Sequence, residues 1–486
     1  MAIPVNESAA ARDVGTGWTA DEVRRVGERV AEIVAGYLGA LPDGPVFRPM
    51  PRDAVAAMRG ASAPAEGIPA DALLDEFVET VAAYPFGNGH PRWFGWVNSP
   101  PAVMGIFAEA LAAAMNPSVA GGNHAAVHLE HQVAGWLKEM TGFPADGMAM
   151  LVSGGSASAL TALTVARFVA ARRAGWDVRR DGMRGFPAPL LVYRTSEAHG
   201  CNQKAVEILG LGSAALREVP ADAALRMDAA ALDAMIRADA AAGAIPMAVV
   251  ASAGTVNTGA IDPIEDIARV CREHGTWLHV DGAYGAPAIL SARYGDALRG
   301  LALADSVAMD PHKWMYIPVE AGVVMVRDAG AMREAFSLVP PYLRTDDDEA
   351  GVQGPPWFSE FGIQQTRGFR ALKVWMAMKS LGLDGYRRLI EHDLALAGYL
   401  AARVACEPAL ETWEPRGLSI VCFRLRGDDA LNRAVLRDVQ LGGRAFITGT
   451  VLAGRFWLRA CIINHRATES DVDAMVDAVL EAAGRA

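Results

Sequence analysis

The chain has 486 residues, 52% hydrophobic and 21% charged, a composition of an ordinary globular protein with room for one large α/β domain and appendages. Its formal net charge of −11 leaves no basic stripe to displace phosphate counterions, so nucleic acid is excluded as an expected partner and an anionic cofactor must be held by local donors. Five cysteines, Cys201, Cys271, Cys406, Cys422 and Cys461, form no CxxC pair and an odd total, which points away from a disulfide framework or a zinc site and towards a reducing, cytoplasmic setting.

Residues Met1 to Glu7 lack a basic region followed by an apolar core, and no apolar run is long enough to cross a bilayer, so neither export nor membrane insertion is expected. Thr19-Ala20-Asp21-Glu22 reads as a capping box, and Val23, Val26, Val30, Ile33, Val34 and Tyr37 follow at helical spacing. A lone amphipathic helix must bury its apolar face elsewhere, and the Pro-rich stretch from Leu41 to Pro51 reads as extended, so the arm is expected to pack on another part of the molecule or, as the favoured reading, on a second subunit. From about His90 to Arg327 helical segments alternate with β-branched runs at Leu190–Tyr193, Met247–Val250, Trp277–Val280 and Val323–Val326, the pattern of a mostly parallel sheet with helices on its faces. Residues 343 to 356 mix an acidic run with Gly and Pro and read as a mobile surface loop. A long helix then runs through Leu372, Val374, Trp375 and Met378, and strands at Ser419–Phe423 and Phe456–Ile462 alternate with helices. The expected organisation is a helical arm over 1–89, a large cofactor domain over 90–375 and a small α/β domain over 376–486.

The chemistry centres on Asp310-Pro311-His312-Lys313-Trp314 and, upstream of it, His279-Val280-Asp281-Gly282-Ala283-Tyr284. A lysine amine can hold pyridoxal phosphate as a Schiff base, and a carboxylate can keep the pyridine nitrogen protonated so that the ring accepts electrons. Asp281 ends a strand-like run, which puts its carboxylate at the carboxyl edge of a sheet, where α/β folds bind ligands. Ser153-Gly154-Gly155-Ser156-Ala157-Ser158 precedes a helix expected to begin near Ala159; alone it suits an ordinary cap, but beside a lysine and an aspartate that imply a phosphorylated cofactor it is read as a place for phosphate. His199, after the strand at Val192, can stack on a ring, and Thr255 occupies a similar strand end, although either also suits a turn. His124, His128 and His131 share a helical face, but without the HExxH glutamate they do not indicate a metal, and none is expected; Gly210-Leu211-Gly212 is only a turn fragment.

On these motifs, together with Ala20–Arg25, His90-Pro91 and Phe369-Arg370-Ala371-Leu372-Lys373, the chain resembles the group II pyridoxal phosphate-dependent decarboxylases, the family of aromatic L-amino acid decarboxylase, almost end to end. The resemblance implies a fold-type I α/β architecture and a homodimer whose N-terminal helices swap over one another. It also implies that Lys313 carries the cofactor, Asp281 pairs with the pyridinium, His199 stacks on the ring, Ala157, Ser158 and His312 hold the phosphate, and Thr255 and Ala283 lie along the ring. Its substrate-side segments correspond to Trp96-Val97-Asn98-Ser99 and to Asn116-Pro117-Ser118, which are more polar here than in aromatic decarboxylases.

Two departures bear on the reaction. Asp310 stands where asparagine is common; a carboxylate there must face away from the phosphate or accept backbone N–H groups, and it is not expected to be a phosphate ligand. Counting back from Phe369, the position of the family's mobile-loop tyrosine falls on Phe358, which has no proton to give. Decarboxylation of an L-amino acid, aromatic in the first instance, to amine and CO2 is the leading expectation, with the loop from Leu343 to Phe358 covering the site. An aldehyde synthase, releasing aldehyde, ammonia and hydrogen peroxide, is the alternative that Phe358 raises, and a catalytically silent cofactor-binding protein is the third.

Overall fold

The structure, a computed structural model, describes residues 17–338, 351, 352 and 354–485. The expected capping box forms: Glu22 N–H donates to Thr19 Oγ1 over 3.2 Å and Thr19 N–H to Glu22 Oε2 over 2.7 Å, opening helix α1 (Ala20–Ala40). Neither α1 nor the next two helices, α2 (Arg52–Gly60) and α3 (Ala70–Phe77), buries a single residue within the protomer. Helix α1 meets α3 through the exposed ion pairs Arg25–Asp71 and Arg29–Asp75, contacts that add little stability.

Two further helices, α4 (Val103–Met115) and α5 (Ala125–Thr141), lead into a seven-stranded sheet. Its strands are β1 (Met148–Val152), β2 (Leu190–Arg194), β3 (Leu216–Glu218), β4 (Ile245–Ser252), β5 (Trp277–Asp281), β6 (Ser306–Met309) and β7 (Gly322–Val326), in the spatial order β1-β7-β6-β5-β4-β2-β3. All neighbouring pairs are parallel except those made by β7, which runs against both β1 and β6. Nearly every residue of β4 to β7 is buried, as in a sheet covered by helices on both faces. The register places Ser252 beside Asp281 and Asp281 beside Ala308, so the carboxyl ends of the three central strands finish level. Helix α6 (Gly155–Arg173) packs across this sheet and starts immediately after β1.

The helix Arg370–Ala405 crosses position 375/376, where the sequence suggests a domain division, and is broken at Gly382, whose φ of 65° only glycine adopts without strain. Beyond it lies a second, antiparallel sheet, β10-β11-β9-β8, formed by β8 (Leu410–Thr412), β9 (Ile420–Leu425), β10 (Thr448–Leu452) and β11 (Arg455–Cys461). It has its own apolar core around Val421, Phe423, Leu458, Val472 and Val476. Among the described residues no helix is long and apolar enough to cross a membrane.

Candidate active site

The level strand ends open onto a cavity of about 400 Å³ lined by the loop Ser153–Ser156, by Glu197, His199 and Cys201, by Thr255 and Val256, and by Asp281, Ala283, Asp310, His312 and Lys313. Lys313 is the one lysine that lines it among the described residues. Its Nζ lies 3.0 Å from Asp310 Oδ2. Burial pulls its proton affinity down, but the Asp310 and Asp281 carboxylates outweigh that and hold the ammonium above its ordinary value.

Asp310 is itself buried and also accepts the Gly155 N–H over 3.1 Å, the arrangement under which a carboxylate can sit beside an anion loop. His312 Nδ1 accepts the Ala321 N–H over 3.1 Å, and burial pushes this imidazole towards its neutral form, with the proton on Nε2. Asp281 accepts from Ala283 N–H over 3.2 Å and from Asn202 Nδ2 over 3.4 Å. Behind it His279 is fully buried, and that burial drives its pKa down to about 4. His199 caps the helix Gly200–Ile208 by accepting the Cys201 N–H at Nδ1 over 3.1 Å, which leaves its exposed ring at the cavity. Cys201 is no nucleophile here, since burial and then Asp281 push its thiol up to about 12.

The helix after the Ser-Gly run starts four residues earlier than the sequence suggests. Helix α6 begins at Gly155 rather than near Ala159, so Gly154, Gly155 and Ser156 face the cavity. Ala157 instead lines a separate cavity of about 60 Å³, and the buried Ser158 hydroxyl donates to Val323 O over 2.9 Å. A Cβ on Gly155 would stand 3.2 Å from both Ala283 Cβ and Asp310 Oδ2, and one on Gly154 would stand 3.1 Å from His312 Cε1. Closely approached backbone that favours glycine, at the N-terminus of a 19-residue helix with first-turn N–H groups lacking intrahelical acceptors, could cradle a phosphate. Thr255 lines the cavity, but its hydroxyl is engaged with Thr258 Oγ1 and the Ala260 N–H, both at 3.1 Å, and so also serves the turn.

The segment Trp96–Ser99 runs beside the cavity without lining it. Arg459 Nη1 holds Trp96 O over 3.0 Å while its Nε holds Val256 O over 2.9 Å, and Ser99 Oγ donates to His312 O over 3.4 Å. Val97 is buried and Asn98 half-buried between these two pins. Asn116 lines a neighbouring cavity of about 350 Å³ that shares Val319 and Glu320 with the first, and Ser118 is exposed outside both.

Phe358 is not over the site. It is fully buried, stacked on His131 with ring centroids 4.5 Å apart, and lies beneath the Arg367 guanidinium at 4.7 Å. Arg367 is paired in turn with the fully buried Glu130. The count from Phe369 thus lands on a core residue, because the chain turns inwards at Phe358–Glu360 before the long helix. Of the expected covering loop from Leu343 to Phe358, residues 343–350 and 353 lie outside the described residues. Asn202 and Arg459 are not singled out in the sequence, where nothing local marks them; Ser156 stands there within the Ser-Gly run but without a role of its own.

A lysine and an aspartate at the carboxyl edge of a largely parallel sheet, beside a glycine cradle on a helix N-terminus, define a fold-type I pyridoxal phosphate-dependent enzyme. The Pyridoxal-dependent decarboxylase conserved domain matches residues 54–426, and the chain belongs to that family of amino-acid carboxy-lyases. It is 32% identical over 464 residues to an aromatic-L-amino-acid decarboxylase of Bacillus atrophaeus, covering 93% of this chain and 94% of the relative. It is 33% identical over 420 residues to an L-2,4-diaminobutyrate decarboxylase of Rhizobium meliloti (strain 1021), covering 85% and 82%. The crystal structure of Oryza sativa TDC with PLP and tryptamine superposes with a TM-score of 0.90 at 26% identity, covering 96% of this chain and 99% of that one.

Proposed function

We propose that the protein decarboxylates an aromatic L-amino acid to its amine, with Lys313 as the residue that carries pyridoxal phosphate. The observation that carries the substrate class is the pinned Trp96–Ser99 segment beside the cavity: Trp96 stacks on Phe86 at 5.5 Å and meets Trp93 and Phe446 in tilted contacts at 5.6 and 5.4 Å, an aromatic cluster held next to the cavity by Arg459, which bonds both Trp96 O and Val256 O. Four carboxylates, Glu197, Asp281, Asp310 and Glu320, line the cavity against one lysine, which disfavours an acidic side chain. The names of the Bacillus and Oryza relatives support the same class.

In this reading the Ser156 N–H and the side chains of Ser156 and His312 hold the phosphate, beside the Gly155 N–H that Asp310 engages. Asp281 keeps the pyridine nitrogen protonated, and the His199 ring lies against the cofactor face. The cofactor, when bound, supplies the electron sink that accepts the pair left as CO2 departs. The Lys313 ammonium, held in its charged form by Asp310 and Asp281, returns a proton from Nζ to the substrate carbon. The burial of Phe358 in the core supports assigning product choice to other residues, with amine as the product in this reading.

The uncovered helices α1 to α3, and α4 with Phe107, Leu111 and Met115 exposed, are the faces on which a second copy would pack, completing a homodimer. The five free cysteines, four of them buried, suit a reducing cytoplasm. Incubation of the protein and pyridoxal phosphate with aromatic, acidic and basic amino acids, scoring CO2, amine, aldehyde and peroxide together, tests the reading. Amine equal to CO2 from an aromatic substrate is expected; turnover confined to acidic or basic substrates, or peroxide equal to CO2, would overturn it.

A further inference from the structure

We infer that Asp393, which does not line the cavity, is a positioning residue that sets where Lys313 stands. Asp393 lies on the helix Arg370–Ala405 and is fully buried. Its Oδ2 accepts Trp314 Nε1 over 2.7 Å and also the Tyr316 hydroxyl, and its Oδ1 accepts the Asn464 N–H over 3.3 Å. These donors belong to residues one and three places after Lys313 and to the loop that follows the second sheet. Asn464 in turn grips His90 O over 2.8 Å, so one carboxylate joins the lysine turn, the long helix and the segment leading to Trp93.

The turn needs such a clamp. Tyr316 has a φ of 57°, a left-handed conformation that a bulky side chain adopts only when its surroundings impose it. Its carbonyl accepts the Ala102 N–H over 2.6 Å and its N–H reaches Lys313 O over 3.3 Å, so releasing the Tyr316 hydroxyl frees the peptide that carries the lysine. Trp314 stacks on Tyr284 with centroids 5.1 Å apart, and Tyr284 lines the cavity and is itself fixed by Ser419 over 2.6 Å. Burying this carboxylate is costly, since among the described residues it has no ion-pair partner, and burial raises its pKa to about 7. A costly buried group that converges three donors on one turn is the mark of a site support.

The inference rests on Lys313 being the lysine that captures the cofactor, and the test separates the two. Cofactor-free wild type, Asp393→Asn and Tyr316→Phe are mixed with pyridoxal phosphate across a pH series, and the rate of capture is followed by absorbance alongside thermal unfolding. Displacing Lys313 from its 3.0 Å contact with Asp310 lowers its proton affinity, so in both variants the pH midpoint of capture moves down by about one unit. With the loaded enzyme, kcat falls about tenfold while KM stays within about twofold. Variants that melt earlier but keep the wild-type midpoint and kcat overturn the inference, since that is what a purely structural role produces. Should Asp393→Asn fail to fold, Tyr316→Phe, which leaves the carboxylate in place, decides alone. Wild type that captures no cofactor would instead sink the Lys313 reading, and the inference with it.

Discussion

Replacing Phe358 by tyrosine separates a core residue from a product-determining one. The ring has no solvent exposure, with His131 stacked at 4.5 Å on one side and the Arg367 guanidinium at 4.7 Å on the other. Truncation to alanine removes a whole buried aromatic side chain and costs about 3–5 kcal/mol. Tyrosine keeps that packing and adds a hydroxyl, whose burial without a partner costs about 1–3 kcal/mol. The adjoining cavity of about 60 Å³, lined by Gln364 and Arg367, can accommodate the oxygen, which places the expected loss at the low end, about 1 kcal/mol. Chemical denaturation of both variants measures these differences, and product analysis runs in parallel. Amine should account for the CO2 released by wild type and by Phe358→Tyr alike. If wild type instead yields aldehyde and peroxide, and Phe358→Tyr restores amine, Phe358 reaches the reacting carbon and the placement argued from its burial is wrong.

Three further outcomes follow from the geometry. Ser156→Ala should weaken pyridoxal phosphate binding by about 1.5–3 kcal/mol, the worth of a hydrogen bond to a charged group, whereas Ser158→Ala, which removes only the bond to Val323 O, should leave cofactor affinity within about twofold; equilibrium titration distinguishes the two, and the reverse order would restore the loop register read from the sequence. Glu130→Gln should cost about 3–5 kcal/mol by leaving the buried Arg367 uncompensated, while the double change Glu130→Leu, Arg367→Met recovers most of that loss in denaturant melts. His90 is buried, and burial lowers its pKa to about 4 from 6.5, so the unfolded chain takes up a proton that the folded one refuses as pH falls between those values; stability is lost with acidification, and His90→Gln should flatten the slope by about 1.4 kcal/mol per pH unit in that window, a change absent above pH 7.

What could be read from the sequence divides along the range of the forces involved. Lys313, Asp281 and His199 sit at the ends of short apolar runs whose periodicity marks them as strands, and a strand end in a parallel sheet is a fixed address, so local pattern sufficed to bring all three to one cavity. The α1 capping box is equally local and forms as expected. The Ser-Gly run was legible but the start of its helix was not, because Ala157 and Ser158 suit a loop by residue type as well as Gly155 and Ser156 do; the close approach of Ala283, Asp310 and His312 to Gly154 and Gly155 joins segments distant in sequence. Phe358 shows the sharper limit. A count along the chain assumes that equal spacing means equal position, yet the turn at Phe358–Glu360 is set by Arg367 satisfying Glu130, Val119 O and Leu151 O inside the core, groups drawn from more than 200 residues away. Asp393 belongs to the same class: its acceptor role exists only once Trp314, Tyr316 and Asn464 have been folded against it. Residues that perform chemistry at strand ends announce themselves locally, whereas residues that hold them in place are defined by partners distant in sequence, and it is among the latter that this chain's reaction control is to be sought.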